Sequence, residues 1–106
     1  MDSERIYADL VKAGESWADA EAAASLLEET RRSMLAKLMN EAGAASIAAK
    51  EMLALADPEY RKHCDGMVNA RKAANKARVR YDSAKVLAEL LRTEESTRRE
   101  EMRLAR

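Results

Sequence analysis

From Pro58 to residue 106 the chain has no further proline and a single glycine, Gly66, and its small and apolar residues recur at alternating intervals of three and four. One line is Tyr60, Met67, Ala74, Tyr81, Ala88, Glu95 and Met102; the other is His63, Ala70, Ala77, Ala84, Leu91, Arg98 and Ala105. Spacing of this kind, sustained for so long, is the signature of a helix that packs along a coiled-coil seam. At 1.5 Å per residue such a helix runs for about 70 Å. With the two lines labelled a and d, six basic residues (Arg71, Arg78, Lys85, Arg92, Arg99 and Arg106) fall at the flanking e position. The alanines imply close helix approach in the middle of the seam, and Glu95 with Arg98 implies that it opens near the C-terminal end.

The first half also reads as helix. Asp2 or Ser3 caps a short helix over 3–13 that ends near Gly14. Ser16, with Asp19 three residues on, forms a capping box for a second. Its apolar stripe is Trp17, Ala20, Ala24, Leu27, Met34 and Leu38, interrupted by Arg31. We expect this helix to continue to residue 56, because one internal glycine, Gly43, costs only about 1 kcal/mol against alanine. The alternative is a break at Gly43 with Ser46 capping a separate short helix, a three-helix arrangement. Asp57-Pro58 is a firm boundary, with Asp as cap and Pro in the first helical position. The expected fold is therefore all-α and a single domain: a long antiparallel helical hairpin, 16–56 against 58–98, turning at 57–58, with the last helix (58–104) projecting at its C-terminal end.

A turn there makes facing residues total about 113. Glu28 then meets Lys85, Glu21 meets Arg92, and Trp17 packs toward Leu91–Arg98. Arg71 and Arg78 face Ala42 and Leu35 and lack an acidic partner.

Composition limits the core. Of the 47% apolar residues, 22 are alanine, and only 17 are Leu, Ile or Val. Alanine gives firm helices but buries little surface, so self-association, a dimer first, is the expectation. Met34, Met39, Met52 and Met67 read as core fillers, and Trp17, Tyr60, Met67, Tyr81 and Leu91 as interface anchors. Net charge is zero, against a globally basic nucleic-acid binder, although residues 1–58 carry −5 and residues 59–106 carry +5. One cysteine, no leader-like N-terminus and no apolar run near the ~20 residues that span a bilayer point to a cytoplasmic protein without membrane contact.

The most basic stretch is 71–80, where Arg71, Lys72, Lys76, Arg78 and Arg80 stand with no acidic residue among them. These are the candidate contacts for phosphate or an acidic partner. Only Tyr81 is near for base stacking, and it belongs to the seam. Chemistry is not indicated. His63 and Cys64 are about 100° apart on a helix, no second His or Cys completes a metal set, and no nucleophile has a base beside it. We expect no catalytic, cofactor or metal residues.

Three stretches, Glu15-Ser-Trp-Ala-Asp-Ala-Glu-Ala22, Pro58-Glu-Tyr-Arg-Lys-His63 and Asn69-Ala-Arg-Lys-Ala-Ala-Asn75, resemble small all-helical proteins encoded by temperate phages and prophages. The resemblance runs from about residue 15 onward and carries no functional residue; some such proteins sit beside phage recombination genes. The reading is a non-enzymatic helical interaction or scaffold module, with an accessory nucleic-acid binder using the 71–80 face as the alternative.

Overall fold

The structure, a computed structural model, describes residues 2–105, so Arg106, last of the six spaced basic residues, lies outside it. Three helices account for nearly all of it: α1 over Ser3–Glu41, α2 over Ile47–Leu55 and α3 over Pro58–Leu104. Among the described residues there is no strand. The all-α expectation holds.

Helix α1 begins where Asp2 Oδ1 accepts the Arg5 amide at 3.2 Å, and it then runs through Gly14 and Ser16 without interruption. The separate helix over 3–13 and the Ser16 capping box are thus overturned. Gly14 keeps a negative φ, and the inward residues Ile6, Leu10, Ala13 and Trp17 carry the stripe straight across it. Packing along that stripe outweighs the roughly 1 kcal/mol helix cost of one glycine.

The continuous helix over 16–56 is also overturned, in favour of the break at Gly43. Residue Ala42 closes α1 by donating to the Met39 carbonyl at 3.2 Å, a tightened final turn. Ser46 then takes an extended conformation (φ −106°, ψ 153°), and its Oγ accepts the Ala49 amide at 3.1 Å, the geometry of an N-cap. A helix-disfavouring glycine followed closely by a good cap makes two helices better satisfied than one. Asp57 acts as expected: its Oδ1 accepts the Glu59 amide at 2.8 Å and its carbonyl accepts the Arg61 amide at 3.1 Å, with Pro58 opening α3.

Packing divides the chain into two units, residues 1–18 with 75–106 and residues 19–74. In the first, Ile6, Ala88 and Leu91 are buried with Leu10 packed on them, and the Trp17 and Tyr81 rings lie 5.3 Å apart, tilted by 48°. In the second, Ala24, Leu38, Ala54 and Ala74 are buried, Ala24 and Ala74 completely. Leu91, Leu38 and Ile6 are the only large buried side chains among the described residues; the other buried hydrophobics are alanines. The two seam lines of α3 face inward from Tyr60 to Glu95, whereas Arg98, Met102 and Ala105 are exposed, so the seam opens where Glu95 and Arg98 implied.

The register is not the expected one. Ile6 with Ala88 totals 94, Trp17 with Tyr81 totals 98, and Arg71 pairs with Glu21 and Glu28, totals of 92 and 99. Facing residues thus total about 95 instead of 113, because α1 stops at Glu41 and residues 42–57 are spent before α3 begins. Trp17 accordingly packs on Tyr81 and not toward Leu91–Arg98. Glu21 and Glu28 meet Arg71 in place of Arg92 and Lys85.

Candidate interaction surfaces

Arg71 makes more side-chain hydrogen bonds than any other charged residue described in the second unit. Its Nη1 donates to Glu21 Oε2 at 2.6 Å, and its Nη2 and Nε donate to Glu28 Oε1 at 2.6 and 3.2 Å. The planar guanidinium suits this arrangement, which a lysine would not reproduce. The hydrogen bonds from Arg71 hold the Glu28 carboxyl below its ordinary value of 4.5, and the two carboxylates hold the Arg71 guanidinium above its own. Arg71 was expected to lack an acidic partner; the shifted register gives it two. Its donors are therefore engaged within the chain.

The other residues of the 71–80 stretch divide between the units. Lys72 is exposed in the second. In the first, the Arg78 guanidinium carbon lies 5.9 Å from the Trp17 ring centre, and its Nε lies 3.9 Å from Asp82 Oδ2. Lys76 and Arg80 are exposed, with no ion-pair partner among the described residues. The expected anchors all sit on the inner seam: Leu91 is buried, and Trp17, Tyr60, Met67 and Tyr81 are half-buried. Partial burial, then the neighbouring Cys64 thiol, raises the Tyr60 phenol above its ordinary value. His63 is tied across the helices, its Nε2–H donating to the Leu27 carbonyl at 2.8 Å, which fixes the tautomer because a carbonyl only accepts. Glu59, Lys62, His63 and Gly66 line a groove with Leu27 and Met34. Among the described residues no three His, Cys, Asp or Glu side chains gather as a metal set would.

The surface that residue-by-residue reading missed is α2. In nine residues it holds Ile47, Met52, Leu53 and Leu55, and these are 76%, 72%, 53% and 47% exposed, while only Ala54 is buried. Met52, expected in the core, points to solvent because α2 is too short and too separate to contribute to the seam. Leu53 also borders a groove of about 330 Å³ with Leu38 and Ala42, edged by Glu41 and Asp57. The signal was available: four large apolar residues beside a serine cap. It was hidden by treating residues 42–56 as the end of a longer helix.

No helix among the described residues is long and apolar enough to cross a membrane. No family model, curated protein or solved structure matches the chain.

Proposed function

We propose that this chain is a non-enzymatic helical interaction module, and that α2 with its neighbouring groove is the surface it presents to a protein partner. The observation that supports this is the distribution of apolar bulk. Large aliphatic side chains stand outside on a nine-residue helix while the interior is built mostly from alanine. Four such residues within nine, spread around one short helix, give that helix an apolar surface, and exposed apolar surface beyond single scattered residues marks interaction sites. The groove beside α2 places Leu53 next to the carboxylates of Glu41 and Asp57, which favour a partner that brings basic residues to this edge.

The test is co-purification of the tagged chain with and without Ile47→Glu and Met52→Glu. Both positions are largely exposed, so the pair should leave the melting temperature nearly unchanged, as surface substitutions do within about 0.5 kcal/mol. The expected result is that a discrete partner retained by the wild-type chain is lost from the variant. An identical set of co-purifying proteins for both would contradict the reading.

A further inference from the structure

The outer side of α3 in the first unit carries a second line of regular spacing. Val79, Ser83, Val86, Leu90, Thr93 and Thr97 follow one another at intervals of four and three; all are exposed and none is charged. They occupy the c and f positions of the inner frame, turned away from α1. Earlier on the same helix those positions hold Lys62, Asp65, Asn69, Lys72 and Lys76, the polar residues expected on a solvated face. Val79, Val86 and Leu90 are more than half exposed, and the Thr93 hydroxyl is already spent on the Glu89 carbonyl at 3.1 Å. This face has the pattern of a seam and lacks its partner helix.

The uncharged line is bounded by Lys76 and Glu100, and an antiparallel second copy covers it from end to end. Val79 with Thr97, Ser83 with Thr93 and Val86 with Leu90 all share one midpoint, residue 88. Two antiparallel copies centred there place every f residue opposite a c residue, the layering of an antiparallel coiled coil. The flank agrees. Arg80 lies between the layers Val79–Thr97 and Ser83–Thr93, and Glu94 of the second copy lies between the same two layers. The two-fold axis repeats the pairing, so two opposite-charge pairs form, each in competition with the Arg98–Glu94 contact of 3.1 Å within α3. We propose that α3 residues 79–97 are the surface on which two copies of this chain associate, antiparallel, about a two-fold axis level with residue 88. This deepens the interaction-module reading, on which it rests, by naming one partner as the chain itself. Each copy supplies three aliphatic side chains to the layers and Leu87 to the Arg80 flank, while on the opposite flank Glu89 meets its own counterpart, so the dimer is a weak one with a built-in repulsion.

Sedimentation equilibrium of the purified chain, in a Cys64→Ser background, tests this together with engineered disulfides. The expected pattern has four parts. Val86→Lys abolishes the dimer. Arg80→Glu weakens it by about tenfold, and adding Glu94→Arg restores it. Glu89→Gln tightens it. Under oxidation Val79→Cys and Thr97→Cys chains link to each other but neither links to itself, since like positions lie about 27 Å apart. A monomer at every concentration, or Val79→Cys chains linking to one another, would overturn the proposal. Circular dichroism verifies that each variant keeps its helices. If the purified chain is monomeric while the α2-dependent partner is retained, the dimer fails and the module reading stands; a dimer without any α2-dependent partner gives the reverse.

Discussion

Ala74→Leu should lower the melting temperature sharply, whereas Ala73→Leu, one residue away, should barely move it. Ala74 and Ala24 are completely buried, while Ala73 is exposed. Where two helices approach over alanines there is no room for three more heavy atoms. Inserting them forces strained rotamers or parts the backbones, typically at a cost of about 1–3 kcal/mol. For a domain of this size each kcal/mol is worth roughly 4–8 °C. A thermal melt of both variants followed by circular dichroism reads the difference directly, and equal melting temperatures would mean that the alanine seam is not closely packed.

Arg71→Gln should remove an acid-sensitive contribution to the stability of the fold. In the native chain the hydrogen-bonded Arg71 holds the Glu28 carboxyl below 4.5. A lowered folded value means that the contribution is complete above the ordinary glutamate range and is lost as pH falls through the folded value. The native chain is therefore destabilised by acid at this cluster. Without the guanidinium, Glu28 loses the hydrogen bonds that favour its charged form, so this contribution is absent from the variant at every pH. The variant should melt lower than wild type at pH 7 and close the gap as the pH drops below about 4.5. Melting curves across that range check it; a gap that stays constant would show that the Arg71 hydrogen bonds contribute nothing through charge.

The parts of this fold that follow from repetition were legible in the sequence. The two inward lines of α3, from Tyr60 to Glu95, are the positions that the 3-4 spacing of small and apolar residues marks, and the Asp57-Pro58 start is a matter of local cap chemistry. Partner assignments were not, because they depend on where the chain turns. A seam of alanines specifies its register weakly, since one alanine layer looks like the next, and the misplacement of a single helix end moved every pairing. Glu28 with Lys85 became Glu28 with Arg71 for that reason. Gly14 and Gly43 carry the same residue-level signal, and tertiary packing separates them: the inward stripe continues past Gly14, while a cap at Ser46 competes just after Gly43. The candidate site was lost with the same helix end, since the apolar residues of α2 look like core until α2 is recognised as a separate piece.

The central claim is that α2 keeps its apolar residues outside for a protein partner. Site-specific photo-crosslinking in cells tests it most directly, with a benzophenone side chain placed in turn at Ile47 and Met52 of α2 and at Lys37, an exposed position on α1. Discrete adducts are expected at Ile47 and Met52 and none at Lys37. Adducts of equal yield at all three positions, or none at Ile47 and Met52, would contradict it.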